Sequence, residues 1–290
     1  MSKEVNNPHD KYVKSVLTNK KYAINFLKNY LPERLVKRID FSHFSIEKDS
    51  HITDNLKEYF SDLIFKTKIN DKKSQIYFLF EHKSSPDSFI FGQLMKYIGL
   101  IWTKSKNKPI VIPYVFYNGK EKWNSSLYSL DHIQKSDNYI ERFIPKFKHL
   151  LCDLNDYDRL LGDDEVKLMI SLLKFFHNEE LVKKSFRKIN IRGIDDKLVI
   201  SSIFYIMNSV NVNNEKKFLN QVQDIIGDDK MPTIAQELKK QGERESKIKV
   251  AKRLLRMNLS IKKISKATDL DISEVKKIKE TESNYNNNNN

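Results

Sequence analysis

The stretch IYFLFEHK, residues 76–83, decides how the rest of the chain is read. Five apolar residues run directly into Glu81, His82 and Lys83, the pattern of a buried strand with a charged exit. Strand side chains alternate between faces, so Glu81 and Lys83 point one way and His82 the other. Upstream, residues 58–67 form a second strand-like run, in which Phe60, Asp62 and Ile64 share a face under a period of two. Asn70, Asp71 and Lys72 between the two runs are turn formers, so the runs are expected to pair as an antiparallel hairpin.

That hairpin sets an acid in one strand beside an acid-x-Lys at the end of the next. Asp62 and Glu81 supply the hard oxygen ligands that magnesium takes, and the backbone carbonyl of His82 can add a third. A cation held there would polarise a phosphoryl oxygen and lower the pKa of its water. Lys83 would orient that water or offset the developing charge. The plain alternative is a surface ion pair at a strand end. Against it, ionisable groups beside a buried strand are costly without partners.

Moving outward, Ser84 to Asp87 with Pro86 ends the strand, and Asp87 or Ser88 is placed to cap a helix over 89–104. Phe89, Ile90, Leu94, Tyr97, Ile98, Ile101 and Trp102 form its packing stripe. Gln93 and Lys96 lie on the same helix, and Gln93 can touch substrate or metal-bound water, or simply face solvent. A strand over 110–117 follows, closed by an Asn118-Gly119 turn. On the N-terminal side, residues 11–30 read as two helices broken near 18–20, then a short helix over 33–39 and a strand over 41–47. His9 and Asp10 sit on an N-terminal arm that can reach the same site, with Asp10 equally suited to a helix cap. Helix, three strands, helix, strand is a compact α/β order.

The pattern weakens from 123 to 157, then four helices are expected at 166–176, 179–189, 198–207 and 215–226. After Pro232 the chain is charged, with helices over 242–257, 261–268 and 274–280, the last two capped by Ser260 and Ser273. Three such helices resemble a small helix-turn-helix unit. Residues 242–280 hold twelve Lys or Arg against six Asp or Glu. Asn286 to Asn290 is low complexity and is expected to be disordered.

Lys and Arg number 52 against 38 Asp and Glu, a net charge of +14, which favours a polyanionic partner such as nucleic acid or an anionic membrane surface. Compositional drift toward lysine explains the same excess. Cys152 is the single cysteine, which excludes an intrachain disulfide and a cysteine-based zinc site and fits a reducing compartment. His43, His51, His149 and His177 lack metal-ligand spacing. No signal peptide is visible at the start and no run approaches a membrane span, so a cytoplasmic location without membrane partners is expected.

Several segments carry a family resemblance: PHDKYVKSVL (8–17), NFLKNYLP (25–32), FSDLIF (60–65), LFEHKSSPD (79–87), QLMKYIGLIW (93–102) and PIVIPYVFYNGKEKW (109–123). In this order they resemble the Rpn family of recombination-promoting nucleases, also described as YhgA-like transposases, within the PD-(D/E)XK nuclease superfamily. The resemblance implies an α/β restriction-endonuclease-like core over 1–125, a mainly helical accessory region over 126–230, a basic helical tail over 231–282 and a disordered end over 283–290. It implies a DNA endonuclease using Mg2+, with Mn2+ able to substitute. Asp62, Glu81 and Lys83 take the motif positions. Many relatives look like EHQS where this chain has EHKS, and the lysine restores the superfamily pattern. Many relatives carry arginine where this chain has Gln93, a superfamily-like glutamine. A homodimer is expected if both DNA strands are cut. A catalytically inactive DNA-binding or transposition accessory protein is the rival reading.

Overall fold

The computed structural model describes residues 8–47, 63–69, 75–133, 137–209, 220, 223–224 and 231–287. They fall into two compact units, Met1–Ile225 and Ile226–Asn290. The expected run at 58–62, which contains Asp62, the turn at 70–72 and most of the expected helix at 215–226 lie outside the described residues.

The first unit is a five-stranded mixed sheet in sequence order, β1 (Ile39–Glu47), β2 (Leu63–Ile69), β3 (Gln75–Lys83), β4 (Ile110–Tyr117) and β5 (Leu150–Asp153). β1, β2 and β3 are antiparallel neighbours, whereas β4 and β5 run parallel to β3. The β2–β3 hairpin pairs Leu63 with Phe80 and Lys68 with Gln75. In the parallel ladder Glu81, His82 and Lys83 face Val115, Phe116 and Tyr117. β5 had no counterpart in the sequence reading, and it adds Cys152 beside Phe116.

Both faces of the sheet are covered, which is why β3 and β4 read as unbroken apolar runs. One face carries α4 (Ile90–Lys104): Ile90, Phe91, Leu94, Tyr97 and Ile101 pack on Ile64 and Val115, with Tyr77 at the margin. The other carries α1 (Pro8–Leu17) and α2 (Lys20–Tyr30), separated at Thr18 and Asn19, where Asn19 caps α2 by accepting from the Lys21 amide. Phe26 of α2 meets Phe80, Tyr114 and Phe116 at ring distances of 5.9, 6.1 and 5.5 Å. Phe26, Phe80 and Phe116 are each at most 1% exposed, and each such ring contributes about 1.5–3 kcal/mol through burial. The short α3 (Glu33–Val36) stops before the expected 39, because Ile39 already begins β1.

Behind α1 and α2 lie α5 (Asp164–Phe175), α6 (Glu179–Lys188) and α7 (Asp196–Ser209). Tyr12 stacks on Tyr205 of α7 at 4.4 Å and its hydroxyl bonds Ser202 Oγ at 2.7 Å. Cys152 is fully buried beside Tyr114 and Tyr157, and burial pushes its thiol up to about 12, so it packs and does not react.

The second unit holds α8 (Met231–Arg256), α9 (Ile261–Thr268) and α10 (Ile272–Asn287). α8 starts well before the expected 242. Its N-terminal half carries Gln, Glu and Lys, which favour helix without an apolar stripe. Ser260 stands at the N-cap of α9 but its side chain makes no capping bond. Ser273 lies inside α10 and caps nothing, and Asn286 and Asn287 are helical.

Candidate active site

The end of β3 meets the first turns of α4. Glu81 is 3% exposed and Lys83 half-buried on the same face, as strand alternation requires. Lys83 Nζ lies 3.0 Å from Glu81 Oε1 and 2.9 Å from Asp87 Oδ2. It also donates to Gln93 Oε1 at 2.7 Å. Gln93 Nε2 donates to Glu81 Oε1 at 2.6 Å and to Tyr97 Oη at 2.9 Å. One turn of α4 separates Gln93 from Tyr97, so both reach the strand end from one helix face. Glu81, Lys83 and Gln93 are therefore one closed cluster, in which a lysine and an amide share a single carboxylate oxygen.

The other oxygen, Glu81 Oε2, is buried and has no hydrogen-bond partner among the described residues. A buried carboxylate oxygen without a partner is expensive in an apolar setting and suits a cation. Burial opposes the Lys83 charge, but Glu81 and Asp87 outweigh it and raise its pKa. Asp87 shows the converse: burial pushes its carboxyl up, and Lys83 and the Phe89 amide hold it below its ordinary value.

The expected cap by Asp87 or Ser88 does not form, because the N-cap of α4 falls on Phe89 and no side chain among the described residues caps that helix. Asp87 Oδ1 accepts from the Phe89 amide at 2.8 Å while Oδ2 holds Lys83. Phe89 occupies the N-cap of α4 and is 81% exposed, so it does not belong to the packing stripe.

His82 points to the opposite face. Its Nε2 donates to Asn118 Oδ1 at 3.1 Å, and Nδ1 lies 3.6 Å from Asp10 Oδ1, an ion-pair distance and not a hydrogen bond. Asn118 also donates its amide to the Lys83 carbonyl at 3.0 Å and its Nδ2 to Leu173 O at 3.2 Å. Asp10 is pushed up by burial but pulled below its usual range by His82 and Lys14. His9 hydrogen-bonds Tyr205 Oη at 2.7 Å, and burial, with His82 nearby, brings it down to about 4. His9 and Asp10 belong to the first turn of α1, behind the sheet and on the face of β3 opposite Glu81 and Lys83.

The structure brings Glu81, Lys83 and Gln93 together, sets His9 and Asp10 with His82 on the reverse face and not at the site they were expected to reach, and leaves Asp62 outside the described residues. Among the described residues no group of three or more His, Cys, Asp or Glu is arranged to hold a metal. Sequence reasoning took Asn118 only as a turn former and Tyr97 only as packing. Their roles come from long-range contacts that no spacing rule contains.

A mixed sheet flanked by helices, with an acid-x-Lys at the end of its central strand, fits the core of the PD-(D/E)XK class. The chain belongs to the family described as "Putative transposase, YhgA-like", whose model matches residues 7–192. It is 23% identical to "Inactive recombination-promoting nuclease-like protein RpnE" of Escherichia coli (strain K12), over 92% of this chain and 96% of that protein. It is 26% identical to "Recombination-promoting nuclease RpnA" of the same strain, over 94% of this chain and 97% of that protein. "Recombination-promoting nuclease RpnD" of Escherichia coli O157:H7 is 28% identical over 67% of this chain and 73% of that protein. No solved structure matches the chain. These relationships support a DNA-associated, nuclease-like role. No helix among the described residues is long and apolar enough to cross a membrane.

Proposed function

We propose that the chain is a metal-dependent DNA endonuclease that hydrolyses phosphodiester bonds at the end of β3. The observation that carries this reading is the Glu81–Lys83–Gln93 cluster with Glu81 Oε2 left without a partner among the described residues. Asp62, the residue before Leu63 in the chain, and Glu81, the residue after its ladder partner Phe80, would hold Mg2+ or Mn2+ together, with the His82 carbonyl as a further ligand. When bound, the ion supplies charge for the phosphoryl oxygen and acidifies its water.

The chain's own groups do the rest. Gln93 and Lys83 fix one Glu81 oxygen, which would leave the other available to a cation. Asp87 keeps Lys83 protonated and aimed, so that its ammonium can meet a non-bridging phosphate oxygen or the attacking water. Tyr97 holds the Gln93 amide in the orientation both bonds need. A dimer would supply two such sites for two strands, and a reducing cytoplasm matches a DNA substrate and a thiol at Cys152.

A second reading is a non-cutting DNA-binding or transposition accessory protein. The comparisons taken alone favour it. The relative RpnE, matched over nearly the whole of both chains, is described as inactive, and the described residues hold no three-membered metal cluster. Supercoiled plasmid incubated with the chain in Mg2+, in Ca2+ and in chelator separates the two. The endonuclease reading expects nicked and linear DNA in Mg2+ that disappears with chelator and with Glu81→Gln. Binding without nicking in Mg2+ leaves the accessory reading standing.

A further inference from the structure

The second unit uses none of the chemistry above, yet its three helices close a core of their own. Ala251 of α8, Ile264 of α9, Leu270 of the connection and Val275 of α10 are each at most 6% exposed, with Ile248, Leu254, Leu255, Leu259, Ile261 and Ile278 packed around them. The α9–α10 connection is three residues, 269–271. It turns through Asp269 at φ 52°, a left-handed conformation that Asp tolerates, and is pinned where Ser265 Oγ donates to Leu270 O at 2.7 Å. An eight-residue helix joined to a sixteen-residue one by a tight left-handed turn over a third helix matches the order of a helix-turn-helix.

What the core leaves outside is basic. Lys262, Lys263 and Lys266 of α9 are exposed, as are Ile272, Ser273 and Lys276 at the start of α10. Of the nearby acids, Glu274 and Asp269 are engaged from α8, while Asp271 is exposed. Arg244 Nη2 holds Glu274 Oε1 at 2.7 Å and Lys247 Nζ lies 3.5 Å from Asp269 Oδ2. Ile272, Ser273 and Lys276 follow one helical face, and Ile272 is 46% exposed although it is apolar. An apolar side chain, a hydroxyl and a lysine together match a major groove, which offers thymine methyl groups, base-edge acceptors and flanking phosphates.

We propose that this unit is a second, separate DNA-binding site. α10 enters the major groove of duplex DNA through Ile272, Ser273 and Lys276, and α9 lies along the phosphates through Lys262, Lys263 and Lys266. In such motifs the second helix reads bases with its N-terminal residues while the first crosses the backbone. The occupant is duplex DNA and not duplex RNA, whose deep, narrow major groove does not admit side chains.

The test uses the full chain in chelator, where no cleavage can occur, so its outcome does not depend on whether the β3 site cuts. Fluorescence anisotropy with a labelled DNA duplex across a salt series reads affinity and salt slope. Lys262→Ala/Lys263→Ala is expected to weaken binding severalfold on every sequence and to flatten the salt slope by about 0.9 per lysine removed. Lys276→Ala and Ile272→Ala are expected to weaken binding about tenfold and to reduce discrimination among duplex sequences. These side chains are exposed, and unchanged far-ultraviolet circular dichroism and melting verify the fold of each variant. Affinity and salt slope that stay at wild-type values in folded variants would overturn the proposal. Equal losses on a matched RNA duplex would overturn the groove assignment.

Discussion

Lys83→Met removes the cation that pairs with two carboxylates, Glu81 and Asp87, among the described residues. At 3.0 Å and an effective dielectric of about 20, the Lys83–Glu81 attraction alone is about 5 kcal/mol before desolvation is charged against it. Deleting one partner of a buried pair typically costs about 3–5 kcal/mol, because the other charge stays behind. Here the Glu81 side chain is 4% exposed and stays behind, while Asp87, at 26%, turns to water. Gln93 still donates to Glu81 Oε1. The expected cost is therefore at the lower end, about 3 kcal/mol, or roughly 6–12 °C in melting temperature for a unit of this size. Glu81→Gln differs, because Lys83 keeps Asp87 at 2.9 Å and the new amide at position 81 carries no charge to desolvate. Its expected cost is about 1 kcal/mol. With both changes together no charge is stranded at position 81, so the double variant should be more stable than the sum of the two costs, with a coupling of about 2 kcal/mol. Urea denaturation of the four proteins reads all three quantities. Lys83→Met within about 0.5 kcal/mol of wild type, or additive costs in the double variant, would refute the closed cluster.

Three further outcomes are expected. Burial brings His9 and His149 each down to about 4, so both rings stay neutral in the folded chain and protonate near 6.5 once exposed. Their packing therefore favours the folded state above 6.5, and that contribution is lost as pH falls toward 4. The melting temperature should drop between neutral pH and about 5, and His149→Phe, which keeps a ring against Phe91 and Trp123, should recover a few degrees (about 2–4 °C) of that drop. Native protein should resist iodoacetamide at Cys152 and label promptly in denaturant; fast native labelling would contradict the buried thiol. Gln93→Ala should lower cleavage by about 10- to 100-fold with little loss of DNA affinity measured in Ca2+, since it removes the bonds that orient Glu81 and Lys83.

The hairpin, β4 and α4 were legible because apolar runs, turn residues and a helical stripe each announce one element locally. The shared face of Glu81 and Lys83 followed from the period of two, and α4 brings Gln93 to them. Asp87 reads as a cap from sequence, but it stands two residues before the N-cap. Its ion pair with Lys83 crosses a strand end and a loop, where no helical spacing applies. β5 was missed because its four residues, LLCD, are too short to show alternation. Phe89 was misread because apolar character at a helix start resembles a stripe position, although the helix begins one residue later. The His82–Asn118 contact spans 36 residues and depends on the parallel register of β3 and β4, which a single sequence does not carry.

The most direct measurement asks whether Asp62 and Glu81 share one cation. Fe2+ replaces Mg2+ on the DNA-bound chain, and ascorbate with peroxide then cuts the polypeptide beside the bound ion. Cuts are expected at two places, next to Asp62 and next to Glu81, competed away by Mg2+ and lost from both places in Asp62→Ala and in Glu81→Gln. Cuts elsewhere, or cuts beside one acid that persist when the other is removed, would contradict a cation held between them.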